Sequence, residues 1–328
     1  MATSGSYDFS LTAAQLIARA ANNLKILRVG GTINSDQQTN LLQTLNVIAK
    51  EFQGTSDLAP GMKVHTRQRV NLFLAKGQQR YLVGPASGDA RATTQYGRTT
   101  IDAAEAIGQT TISVTATNDT TTVPGTTITM TASDIIGIEQ NDGTIWWSTV
   151  SSISAGDTVT IASGLEVAAA VGNYVWWFTS RAQRFPVIES ALLRDENYND
   201  TPLDIYTDAS QYDLGVASKY ADGDPGCILV EPLRITTRVT LNSQPTDVTK
   251  TIVMTVLYPA EDYDATTDDI AFPQEWLGYL EWELTLRSCP LYGKPWTPEM
   301  DKNYTLAATR ARSLNPENSV AYYQPGGP

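Results

Sequence analysis

The hydrophobic period changes twice along this 328-residue chain, from helical to strand-like and back to helical. Near the start, "SLTAAQLIARAANNLKIL" repeats Leu11, Ala14, Ile17, Ala18, Ala21 and Leu24 at helical spacing. Thr12 with Gln15 three residues on is the pattern of a capping box. Gly30-Gly31 breaks the run. Asn34 or Ser35 can then cap a second helix with Leu41, Leu42, Leu45, Ile48 and Phe52 on its apolar face and Gly54 as its C′ residue. At the far end, "FPQEWLGYLEWELTLRSC" reads as a helix opened by Pro273 and ended before Pro290. Trp276, Leu277, Leu280 and Leu284 make its main stripe; Tyr279, Trp282 and Leu286 fall off it and need another partner. Thr297-Pro298-Glu299 starts a last helix with a cap, an N1 proline and an acid suited to the helix dipole. Its face is Met300, Tyr304, Ala307, Ala308, Ala311 and Leu314, and Asn315-Pro316 stops it.

Between these ends the pattern is that of strands. "RVNLFLAKGQQRYLVG" reads as a hairpin about Lys76-Gly77, and Arg234–Leu241 with Thr251–Pro259 as paired antiparallel strands. From Thr110 to Thr179, short runs rich in Thr, Ile and Val are punctuated by Asn141-Asp142-Gly143 and Gly172-Asn173, as in a small barrel or sandwich. The fold expected is α+β. Residues 1–60 form a helical hairpin that packs with helices in 271–314 as one bundle; 61–108 with 180–270 form an antiparallel β domain; 109–179 are a small β domain inserted into it; and 315–328 are an extended arm.

Composition removes several function classes. Net charge is −12, whereas nucleic-acid affinity comes mainly from Lys and Arg neutralising phosphates. No run of about 18 apolar residues suggests a membrane span. The start "MATSGSYDFSLTAAQ" has no basic and apolar regions of a secretory signal, and two cysteines without a CxxC fit a reduced cytoplasm.

Catalytic and metal chemistry find no anchoring pattern. The lone His65 lacks any surrounding nucleophile motif and reads as a strand residue. Asp222 and Asp224 in "ADGDPG" lack the further acids of an EF-hand and read as a turn. "EDYDATTDD" (Glu261, Asp262, Asp264, Asp268, Asp269) reads as a solvated acidic loop, with a cation site as the alternative. With 35 acids, carboxylate pairs at glycosidase spacing arise by chance. No catalytic residue, cofactor site or metal site is assigned, and the chain is expected not to be an enzyme.

The pairs Trp146-Trp147 and Trp176-Trp177 say more, because adjacent strand residues point to opposite faces. One Trp of each pair can fill a core while the other, with Trp147 and Trp177 as the candidates, faces out to stack on a sugar or pack on a neighbouring subunit, unless loops cover both.

Three stretches together resemble the head-to-tail adaptor (connector) proteins of short-tailed and related bacteriophages. They are "YDFSLTAAQLIARAANNLKIL…NSDQQTNLLQTLNVIAKEFQ", "NLFLAKGQQRYLVGP" and "LYPAEDYDATTDDIAFPQEWLGYLEWELTLRSCPLYG", roughly half the chain. "IGIEQNDGTIWWSTV" is similar to a small β domain found in some members. The resemblance implies a non-enzymatic virion protein, assembled in the host bacterial cytoplasm. It implies a ring, usually of about twelve copies, below the portal protein. That ring stabilises packaged DNA and carries the tail tube or nozzle, and fibres are further candidate partners. Double-stranded DNA passes through its channel without specific binding, which suits the acidic balance. Tyr279, Trp282, Leu286, Trp147 and Trp177 are then candidates for the subunit interface, and Val320, Tyr322 and Tyr323 for an arm touching the portal. The alternatives are a tail tube or nozzle subunit and a sugar-binding tail component.

Overall fold

The computed structural model describes residues 9–27, 31–52, 67–85, 90–122 and 125–313. Its helices are α1 (Ala13–Asn23), α2 (Ser35–Glu51), α3 (Ala209–Gly215), α4 (Gln274–Ser288) and α5 (Pro298–Ser313). The sheets are mostly antiparallel, so the chain is α+β as its changing period predicts. It divides into two compact units, Met1–Thr66 with Pro259–Pro328, and Arg67–Tyr258.

In the first unit, α1, α2, α4 and α5 share one core. Leu16, Ile17, Leu41, Leu45, Ile48, Trp276, Leu280 and Leu284 are buried there with Ala308 and Ala311. Burying each Leu or Ile of that set contributes about 1.5–3 kcal/mol. The helix starts follow the sequence. Thr12 Oγ1 accepts from Gln15 N at 3.3 Å while Thr12 N donates to Gln15 Oε1 at 3.2 Å. Asn34 Oδ1 accepts from Gln37 N at 2.8 Å, and Thr297 Oγ1 from Met300 N at 3.3 Å. Pro273 is the N-cap of α4 instead of its first helical residue, because its ψ of 149° is extended. The segment 259–270 was expected in the β domain and lies instead with the helices. Tyr263 and Ile270 are buried in the helical core, and Ile270 N donates to Leu11 O at 2.9 Å.

The second unit contains a two-sheet sandwich. One sheet orders strands Asp200–Pro202, Val187–Arg194, Thr251–Leu257, Arg67–Phe73 and Ala92–Thr93; the other orders Asp204–Tyr206, Cys227–Pro232, Thr237–Leu241 and Arg80–Val83. Val70, Leu72, Ile252 and Met254 from the first meet Tyr81, Val83, Ile228, Val230 and Val239 from the second. Two expected pairings are therefore corrected. Arg67–Phe73 and Arg80–Val83 are not a hairpin but pair in different sheets, with Thr251–Leu257 and Thr237–Leu241 respectively. The turn at Gly77 (φ 75°) carries the chain across the core, and Ala75 N donates to Tyr81 Oη at 3.0 Å, tying its two ends. For the same reason Thr237–Leu241 and Thr251–Leu257 do not pair with each other. Each has an apolar inner face, and the sandwich satisfies both by placing them in opposite layers.

The remaining sheet orders strands Gly97–Thr100, Tyr174–Phe178, Ile135–Glu139, Ile145–Ser154, Thr158–Ile161 and Thr111–Ser113. Its two outer strands are joined by the bridge Ile101↔Val114, with Thr115 N donating to Thr100 O at 2.9 Å and Asp102 N to Ser113 O at 3.0 Å. The ladder thus closes around Ile112, Ile136, Ile138, Val159, Ile161, Val175 and Trp177. This sheet begins at Gly97 and not at 109, because Gly97–Thr100 pairs with Tyr174–Trp177. The turn at Asn141-Asp142-Gly143 joins two paired strands as expected, with Gly143 at φ 75°.

Candidate functional site

The residues picked out for assembly fall in three environments. Tyr279 is only 4% exposed and belongs to the core of its own unit. Its ring stacks on Phe52 at 5.0 Å and packs against Trp276 and Tyr304, and its hydroxyl lies 3.2 Å from Tyr304 Oη. Removal from water, then the bond to Tyr279, holds the Tyr304 phenol far above its ordinary range. Tyr279 is therefore withdrawn as an interface residue: α5 is the second partner that the face off the main stripe required. Trp282 and Leu286 are half-buried and lie outside that core. On the same helix, Arg287 Nε donates to buried Glu283 at 2.7 Å, and its Nη2 donates to Glu51 of α2. That bond lowers the Glu51 carboxyl from its usual value. Arg287, bonded to both Glu283 and Glu51, ties α4 to α2 at the edge of the helical unit.

Trp176 and Trp177 are buried within the chain, whereas Trp146 and Trp147 are half-buried. Trp177 is 1% exposed and lies in the closed sheet's interior, over Gly97. A Cβ at Gly97 would meet that indole at 2.2 Å, so the glycine makes room for the ring. Trp176, on the opposite face, packs 6.0 Å from Phe73, and Trp147 packs 5.3 Å from Phe73. Phe178 stacks on the same ring at 5.9 Å and Tyr96 meets it edge-on at 5.2 Å. Phe73 comes from the sandwich strand Arg67–Phe73, on the face opposite Val70 and Leu72. Trp177 is thus a core residue of its own sheet and not an interface residue, whereas Trp147 packs against the chain's own sandwich and stays half-buried. A second contact reinforces the junction. The Arg98 guanidinium lies between the rings of Tyr174 (5.1 Å) and Tyr198 (4.8 Å), and donates to Glu196 O at 2.9 Å. Tyr198 adopts φ 64°, a conformation held by the turn in which Asp195 accepts from Asn197 N and Asn199 N.

Neither Phe73 nor Tyr198 stands out in the sequence as a junction residue. A signal for Phe73 existed: it is a large apolar side chain on the strand face that alternation assigns away from the sandwich core.

Asp224 pairs with Lys250 at 2.6 Å beside Gly223 (φ 137°), the turn its composition suggests. Among the described residues, no group of three or more His, Cys, Asp or Glu is placed to hold a metal ion. Cys227 and Cys289 are buried, and burial raises both thiols, which disfavours the nucleophilic thiolate. No described helix is long and apolar enough to cross a membrane. His65, the arm 315–328 and its Val320, Tyr322 and Tyr323 lie outside the described residues.

No protein-family model matches the chain, and no curated protein matches it either.

Proposed function

We propose that the chain is a non-enzymatic structural subunit of a bacteriophage virion, a head-to-tail adaptor that forms a ring below the portal and carries the tail. In this reading the helices from both chain ends form one bundle, and the closed six-stranded sheet is a small barrel inserted into the sandwich. The observation that carries the proposal is the shared core of α1, α2, α4 and α5. It brings two distant parts of the sequence together in one compact helical unit, distinct from the compact β unit. Trp282 and Leu286, half-buried on α4, supply an aromatic and an aliphatic side chain for the next copy.

The chemistry of the chain supports the same reading. The net charge of −12 disfavours adhesion of DNA moving through a ring. The aromatic junction around Phe73 fixes the barrel to the sandwich by packing, as a load-transmitting subunit needs. The ring is expected to have about twelve copies, with portal above and tail tube or nozzle below.

Electron microscopy of purified chain mixed with portal rings tests the proposal. Ring-shaped density added under the portal, with the portal's own rotational symmetry, is the expected result. Absence of association, or binding only at the distal tail, overturns it. Removing residues 315–328 is expected to weaken portal attachment while leaving the thermal unfolding of the chain unchanged.

A further inference from the structure

Two surfaces remain without a role in this reading, and their charges are opposite. The first is an open cleft of about 260 Å³ on the outer face of the four-stranded sheet. Its floor carries Arg80, Glu231 and Arg238, and its wall carries Tyr212, Asp213, Lys219 and Tyr220. The acids there are already used: Glu231 pairs with Arg238 at 3.3 Å and Asp213 with Lys219 at 2.7 Å. Arg80 is exposed and makes no ion pair among the described residues. In a chain of net charge −12, the cleft keeps one cation unmatched. Tyr220 at its rim is 76% exposed. An arginine fork beside an exposed aromatic ring is the composition of an interface anchor.

The second surface is the loop "EDYDATTDD" of the helical unit. It is held from within. Asn46 takes both backbone groups of Tyr263, Lys50 pairs with Asp262 at 2.7 Å, and Asp268 accepts from Ala265 N at 2.8 Å. Those anchors leave Glu261, Asp264 and Asp269 exposed, with no ion pair among the described residues. The loop is therefore a preorganised acidic projection, which binds with little further ordering cost.

We infer that the cleft around Arg80 receives the acidic loop of a second copy of this chain, with Asp264 or a neighbouring carboxylate on the guanidinium and Tyr220 closing over the contact. The inference rests on the ring reading: two different patches repeated from copy to copy close into a circle. Opposite charge also selects this pairing over cleft-to-cleft or loop-to-loop contact, where like charges meet.

Site-directed cross-linking of full-length chains tests it. Ala209→Cys at the cleft and Ala265→Cys on the loop leave every charge in place, and both positions are exposed. Concentrated mixtures of the two variants under mild oxidation, without portal, are expected to give mixed disulfide dimers. Exposed Ser151→Cys paired with Ala265→Cys serves as the background. Adding Arg80→Glu to the cleft variant should cut the yield about fivefold, and Asp264→Arg in the loop variant should restore most of it. Unchanged melting temperatures would exclude unfolding as the cause of the loss. A yield equal to the background, or one indifferent to Arg80→Glu, overturns the inference. Portal binding without the cross-link rejects this contact and keeps the adaptor reading; the cross-link without portal binding does the reverse. Loss of portal binding in Arg80→Glu with no cross-link in the parent pair would overturn the second copy in favour of an acidic surface on the portal.

Discussion

Asn46 holds the backbone of Tyr263 at both ends of its carboxamide: its Oδ1 accepts from Tyr263 N at 2.8 Å and its Nδ2 donates to Tyr263 O at 3.0 Å. One helical side chain thereby satisfies a donor and an acceptor in a segment outside regular structure. The bond also positions the acidic loop, since Tyr263 sits between Asp262 and Asp264 while its ring enters the helical core.

Asn46→Ala removes both bonds and leaves two partly buried backbone groups unpaired. It is expected to destabilise the helical unit by about 1–3 kcal/mol. Denaturant unfolding measures that loss, and amide hydrogen exchange should speed up at 259–270 while the strands of the β unit keep their protection. Equal stability of Asn46→Ala and the parent would show the two bonds to be dispensable.

Gly97→Ala tests the seating of Trp177. A new Cβ would stand 2.2 Å from the indole, on a strand paired with its own, so the ring or the strand must shift. Overpacking of this kind costs about 1–3 kcal/mol. The loss should appear as a lower melting temperature and as a change in tryptophan fluorescence. Trp177→Leu in the Gly97→Ala background should recover part of the penalty by relieving the clash. Full tolerance of Gly97→Ala would mean the indole does not lie over the glycine.

How far such features could be read in advance depended on their range. The capping residues Thr12, Asn34 and Thr297 were legible because a cap acts within three residues. The α+β character was legible from the period alone. Pairing was not: Arg67–Phe73 and Arg80–Val83 are near in sequence, yet each finds its partner more than 150 residues away. Alternation marks a face for burial but does not say which sheet will cover it. The same gap explains Tyr279 and Trp177. Both were recognised as needing partners, and both find them inside the chain, in Tyr304 of α5 and over Gly97. The Arg98–Tyr198 contact lay further from reach still, since it joins two loops-and-strands segments 100 residues apart in sequence.

Alkaline titration reports on the buried phenols of both units, Tyr258 and Tyr263 among them. Burial pushes Tyr258, in the β unit, and Tyr263, in the helical unit, up to about 12. Their folded values lie above the unfolded value, so the stability they contribute is fully present below about pH 10. It is lost as pH rises from there through about 12, because ionisation then favours the unfolded chain. Phenolate absorbance should show most tyrosines titrating first and a late set appearing together with loss of circular dichroism. Tyr263→Phe should delay alkaline unfolding of the helical unit. Early titration of every tyrosine, with the fold intact, would contradict the burial.

Tyr279 and Trp282 lie three residues apart on α4 and should fail in different ways. Tyr279 is enclosed by Phe52, Trp276 and Tyr304, so Tyr279→Ala leaves a cavity among rings and should cost about 3–5 kcal/mol. Trp282 is half-buried and outside that core, so Trp282→Ala should cost well under that in thermal or denaturant unfolding. If a neighbouring copy covers the indole in the assembled ring, the variant should still assemble poorly on portal, because a buried interface tryptophan supplies more than its share of binding energy. The two measurements must therefore diverge: Tyr279→Ala loses stability before assembly is tested, whereas Trp282→Ala keeps its fold and loses the ring. A Trp282→Ala chain that folds and assembles like the parent would remove α4 from the subunit interface.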